Sequence, residues 1–162
     1  MKKHIPLLVA LAALAGCETI YLPTLKEVPV NPTNTRVADI PAADYRLAAS
    51  HWTDVAKLRD EATRLVSQVS QGKLTKVQAA QLLNRFRIQL VGRNSVDDAV
   101  YDVYLRSAID SQRGVISSEQ SKTQIQSTLR GWQQRWKNMD SKPNNPAFTN
   151  FLLEYMNMTP LK

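Results

Sequence analysis

The sequence predicts an all-α fold, a compact bundle of four to five helices behind an extended, proline-containing N-terminal tether, and three observations carry the prediction. Between Pro41 and Pro143 there is no proline, and apolar residues recur at spacings of three and four that lay one stripe along a helix. This stretch is interrupted three times by one pattern, a glycine, two residues and then a hydroxyl residue: Gly72-Lys73-Leu74-Thr75, Gly92-Arg93-Asn94-Ser95 and Gly114-Val115-Ile116-Ser117. Glycine reaches the left-handed conformation that closes a helix, and a Ser or Thr oxygen accepts from the free N–H groups that open the next one. Third, Gln78, Asp98 and Gln120 stand three residues beyond these caps, where a side chain can reach back and complete a capping box.

The first helix is predicted over 42–71, with Tyr45, Ala48, Trp52, Val55, Ala62, Leu65, Val66 and Val69 on its apolar stripe and Arg46, Asp54, Lys57 and Arg64 opposite. The second, 76–91, presents Ala79, Leu82, Leu83, Phe86 and Leu90; the third, 96–113, presents Val96, Val100, Val103, Tyr104 and Ala108. The fourth, 118–139, presents Ile125, Leu129, Trp132, Trp136 and Met139. Pro143 and Pro146 break the pattern, and a short fifth helix over 147–156 carries Phe148, Phe151, Leu152 and Tyr155. Its aromatic face is expected to close as a lid over Trp132 and Trp136, with an exposed docking surface as the alternative. The junctions at Gly72 and Gly114 resemble each other closely, and shared capping chemistry explains the likeness without a duplication.

Before the helices the chain has another character. Lys2 and Lys3 precede an apolar run, Ile5 to Leu14, that falls short of the about 20 residues needed to span a bilayer core. The run ends in Leu14-Ala15-Gly16-Cys17, which contains the chain's only cysteine and resembles the lipobox of bacterial lipoproteins. The resemblance implies cleavage before Cys17 and acylation of both its thiol and its freed amine, so that the protein is held to a membrane through Cys17. Residues 1–16 are then a signal peptide, 17–41 a lipidated cysteine with an extended tether, and 42–162 the helical domain. In enteric lipoproteins an Asp directly after the cysteine retains the protein at the inner membrane. Here Glu18 and Thr19 follow, which points to the outer membrane and a periplasm-facing domain. A single acyl chain binds a membrane only marginally, so a multiply acylated cysteine suits stable attachment. Pro23, Pro29, Pro32 and Pro41 make the tether extended, while Ile20-Tyr21-Leu22 and Val28-Pro29-Val30 leave open that parts of it pack on the domain as an arm.

The chain carries 21 Lys and Arg against 14 Asp and Glu. Export removes nucleic acid as a partner for this basic excess and leaves anionic lipid or peptidoglycan carboxylates as contacts. Beyond the signal peptide His51 is the only histidine, which leaves a triad one possible base and no multi-histidine metal site; on its helix it is expected to be structural. Asp97, Asp98 and Asp102 are read as acids favoured in a helix's first turn, with Asp102 pairing to Arg106. Glu61, Glu119 and Glu154 are the candidates for a glycan-cleaving acid, and no long loops surround them to build a cleft. No catalytic residue, metal or cofactor is therefore expected.

An interaction surface is expected at Tyr101, Arg106, Phe148, Phe151 and Tyr155, residue types that dominate interfaces, with Tyr101 off the main stripe of its helix and Trp132 and Trp136 in the core. The function expected is that of an outer-membrane-anchored periplasmic lipoprotein serving as a non-catalytic accessory factor for an envelope protein complex of the secretion, assembly or pilus type. Helical pilotins share such an architecture, although no pilotin motif is present and a lone cysteine excludes the internal disulfide some of them contain. The alternatives are a peptidoglycan-directed enzyme or enzyme activator and a surface-exposed interaction lipoprotein.

Overall fold

A computed structural model describes residues 37–162; the segment read as a signal peptide, Cys17 and the part of the expected tether up to residue 36 lie outside the described residues. A short strand β1 (Asp39–Pro41) and a single 3₁₀ turn (Ala42–Asp44) lead to α1 (His51–Ser70), α2 (Lys76–Val91), α3 (Ser95–Gln112) and α4 (Ser118–Trp136). Strand β2 (Ser141–Pro143) and α5 (Ala147–Tyr155) complete the described residues, which are mostly helical. α1 packs against α2 and α5, and α3 touches α2, α4 and α5, so that α3 has neighbours on three sides. Leu58, Val96, Val100, Leu129, Phe148 and Leu153 are fully buried where these helices meet. β1 and β2 pair antiparallel, with Ile40 opposite Lys142.

Two of the three glycine junctions form as their local chemistry dictates. Gly72 and Gly114 adopt φ of +71° and +72°. The next residues' N–H groups, from Lys73 and Val115, reach back to the carbonyls of Gln68 and Asp110, which satisfies carbonyls that a helix end would leave free. Thr75 with Gln78, and Ser117 with Gln120, then form complete capping boxes. A Cβ at Gly72 or Gly114 would meet nothing within 4 Å, so substitution strains only the backbone. Gly72→Ala and Gly114→Ala are each expected to lower stability by about 1 kcal/mol, read as a shift of the urea midpoint at constant m-value.

The third junction differs. Gly92 has φ of +75° with ψ of −171°, and Asn94 rather than Ser95 caps α3, its side chain accepting from the Asp97 N–H. The Arg93 carbonyl accepts from Val37 N–H, and with Asn94 as its cap α3 starts at Ser95, one residue before the expected 96. Asp98 completes no box; its carboxylate takes Arg87 of α2 at 2.6 Å instead.

α1 begins at His51, not residue 42. Residues 42–50 are drawn instead to the β2 segment: Ala42 N–H donates to the Asp140 carbonyl, Ala48 N–H to that of Asn144, and Tyr45 packs edge-on to Trp136. The buried stripe of α1 is also rotated from the expected one. It runs through His51, Val55, Leu58 and Leu65, leaving Trp52 and Val66 exposed, because His51 finds buried polar partners. The last residues assigned to the tether, 39–41, are part of the folded domain through β1. α4 ends at Trp136, short of the expected 139; of its expected stripe Ile125, Leu129 and Trp136 are buried, Trp132 is half-buried, and Met139, also half-buried, lies beyond the helix.

Candidate functional site

The interior holds several buried polar side chains, and His51, Asp54, Asn94, Asp97, Asn145, Thr149 and Asn150 among them form one connected set at the end of the bundle where α1, α3 and α5 begin, whereas Arg87 and Ser107 bond elsewhere. Asp97 is fully buried at the start of α3. Its Oδ1 accepts from the Thr149 N–H at 2.9 Å and from the Thr149 hydroxyl at 2.7 Å, while Oδ2 accepts from the Phe148 N–H and the Asn94 amide. α5 has no cap of its own, since Pro146 precedes it. Asp97 supplies the cap from another helix, and two helix N-termini converge on one carboxylate. Asp97 lies in the first turn of α3, as the sequence-based reading has it, but its carboxylate also serves partners 51 and 52 residues away along the chain, which that reading did not include.

His51 is held from both sides. Asn145 donates from its amide nitrogen to the Asp54 carboxylate, which turns its oxygen to His51 Nδ1 at 2.7 Å. Asn150 accepts from Leu161 N–H and donates to the Leu161 carbonyl, which fixes its amide so that the nitrogen meets His51 Nε2 at 2.8 Å. Both amides are thus oriented by third groups, and the only compatible imidazole is neutral, donating from Nδ1 and accepting at Nε2. Burial lowers the His51 pKa from 6.5, outweighing the Asn145 hydrogen bond and the carboxylates of Asp97 and Asp54. His51 is buried and hydrogen-bonded at both ring nitrogens, the satisfied one of the two states, satisfied or exposed, expected from the sequence, but the asparagines that satisfy it were not recognised. The nearest sequence signal is the Asn144-Asn145-Pro146 run, read there only as a helix breaker.

The expected interaction residues are divided. Tyr101, Phe148 and Phe151 are buried, which corrects the expectation that they face solvent. Tyr101 and Phe148 stack edge-to-face, and both lie about 6 Å from the Arg87 guanidinium, itself buried and bound to Asn84 and Asp98. Burial pushes the Tyr101 hydroxyl up to about 12. Tyr101 is off the stripe that faces α2, yet α5 covers it from another side. α5 closes the core as a lid, although over α1 and α3 and not over Trp132 and Trp136. Arg106 and Asp102 are both exposed and form no ion pair with each other.

Tyr155 alone of the aromatic candidates is open, with 74% of its surface exposed. It lines a shallow depression of about 190 Å³ with Arg59, Phe151 and Glu154, in which the Arg59 guanidinium and the Glu154 carboxylate pair at 3.1 Å. Of the three glutamates considered for glycan cleavage, Glu61 pairs with Arg64, Glu154 with Arg59, and Glu119 lies exposed in the first turn of α4. No group of three or more potential metal ligands occurs among the described residues. No described helix is long and apolar enough to cross a membrane. Comparison with known proteins gives no match: no family model, no curated protein and no solved structure is similar to this chain.

Proposed function

We propose that this chain is an outer-membrane lipoprotein, anchored through acylated Cys17 and facing the periplasm, that serves without catalysis as an accessory factor for an envelope protein complex. Its partner seats on the α1–α5 face around Tyr155. The observation that carries the reading is the combination on that face: a tyrosine with 74% of its surface exposed, beside an Arg–Glu pair, over the buried Phe151 ring. Aromatic and arginine side chains of this kind supply most of the binding energy at protein interfaces. The acidic and amide side chains of the interior are committed to holding helices together, which favours a scaffold over a reaction centre.

Crosslinking and affinity capture from envelopes of the native host test this. A stoichiometric envelope partner is expected with the wild-type chain, at least tenfold less with Tyr155→Ala, and none with the unanchored Cys17→Ala. Undiminished capture by Tyr155→Ala would refute the assigned face, and recovery of peptidoglycan fragments without a protein would move the function to the cell wall.

A further inference from the structure

A second concave surface lies away from Tyr155, between the C-terminal half of α4 and the chain's last residues. It is a cleft of about 600 Å³ with Arg130, Gln133, Gln134 and Lys137 on one wall and Thr159 to Lys162 on the other. The tail is tied to α4 and α5 by fixed contacts. The Gln133 amide donates to the Thr159 carbonyl at 2.6 Å, the Trp136 indole N–H donates to the Lys162 carbonyl oxygen at 2.8 Å, and Asn150 binds both main-chain groups of Leu161. Because these hydrogen bonds, the Asn150–Leu161 pair among them buried, fix the tail against α4, the cleft is formed before anything enters it, which lowers the ordering cost of binding.

The chemistry of the lining is one-sided. Trp136 and Leu161 make an apolar floor, and no acidic side chain lines the cleft. Arg130, Lys137 and Lys162 are in no salt bridge among the described residues. Arg135, by contrast, lies over the Trp132 ring at 4.5 Å and is committed there. Arg130, Gln134 and Lys137 follow each other at helical spacing and so share one edge of the cleft. The Gln134 amide makes no side-chain hydrogen bond among the described residues.

The geometry points to this cleft as the binding site for an acidic peptide segment, whose carboxylates meet Arg130, Lys137 and Lys162 while its main chain meets the Gln134 amide. Charge complementarity selects an anion. Shape separates the anions: a bilayer surface is too flat to reach Trp136 and Leu161 at the floor, and a free phosphate leaves most of the volume unfilled. Neither lipidation nor the Tyr155 face enters this inference.

The full chain, purified in neutral detergent, would be titrated with a fluorescein-labelled octapeptide of alternating Glu and Ser, with a Lys and Ser octapeptide and with phosphatidylglycerol vesicles. Fluorescence anisotropy gives affinity, and the indole N–H signals of the three tryptophans give position. Saturable binding of the Glu peptide alone is expected, with the Trp136 signal moving and that of Trp52 still. Affinity should fall at least tenfold in Arg130→Glu/Lys137→Glu and stay unchanged in Lys122→Glu, at the far end of α4. An unaltered Trp136 signal in the ligand-free double variant reports an intact cleft, and Gln134→Ala, expected to weaken binding severalfold, provides a variant without charge reversal. Absence of saturable binding, equal affinity in the double variant, or binding of vesicles without binding of the peptide would each overturn the proposal.

Discussion

Replacing Asp97 by alanine is expected to destabilise the domain by about 4 kcal/mol, among the largest effects a single substitution produces. The carboxylate is fully buried and accepts from the main chain of Phe148 and Thr149, the Thr149 hydroxyl and the Asn94 amide. Alanine leaves those donors in the interior without acceptors, and each unsatisfied buried group costs about 1–3 kcal/mol. Because α5 has no cap of its own, the loss falls first on α5. Amide hydrogen exchange at 148–153 should therefore accelerate more than exchange in α2, and denaturant unfolding should report the total. Thr149→Val removes one donor together with its share of the carboxylate's partners, and its cost should be well below that of Asp97→Ala. Equal costs would show that Asp97 does not act as the shared cap.

Mild acid is expected to weaken the domain through His51. The folded state holds this imidazole neutral and lowers its pKa from 6.5, so below that value the unfolded chain takes up a proton that the folded chain resists. The stability it contributes is thus fully present above about pH 6.5 and declines as the pH falls from there towards the lowered folded value. Protonation at Nε2 would set an N–H against the Asn150 amide N–H, whose orientation Leu161 fixes. Loosening should therefore begin at the contact between α1, α5 and the last residues. His51 is the only histidine outside residues 1–16, so no other imidazole there contributes across this range, and comparison with His51→Gln isolates its share. Urea unfolding from pH 7.5 to 5.0 should show the decline in the wild-type chain and a flatter profile in His51→Gln, which is less stable throughout. Parallel profiles would remove His51 as the cause.

What was legible in the sequence and what was not divides by the range of the interaction. Thr75 with Gln78 and Ser117 with Gln120 lie within one helical turn, so residue identity and spacing specify the hydrogen bonds before any fold exists. Helix number follows from the same local signals. Asp97 with Thr149, and His51 with Asn145 and Asn150, become neighbours only after the α5 segment docks, and no spacing rule announces them. Tyr101 was misplaced for a related reason. A single stripe describes a helix with one packed face, whereas α3 is covered by α2, α4 and α5, so a residue off the stripe is still buried. The reverse holds at Trp52 and Val66, which fit an apolar stripe on α1 but lie on a side that no described helix covers. Of the candidate interaction residues, Tyr155 is open because α5 ends there. The cleft beside α4 needed the tail to fold back and could not be seen from Arg130 and Lys137 alone.

Leu161 is 2% exposed, and through Asn150 its main-chain groups fix the imidazole at the very start of α1. The first long helix and Leu161 thus complete the same polar interior. A ribosome delivers the chain N-terminus first. Until residue 161 emerges, His51 and Asn150 lack the contact that orients them and α5 has no closed end. The helices can form as they appear, but the locked interior is a late event, closed only when Leu161 docks against Asn150 of α5.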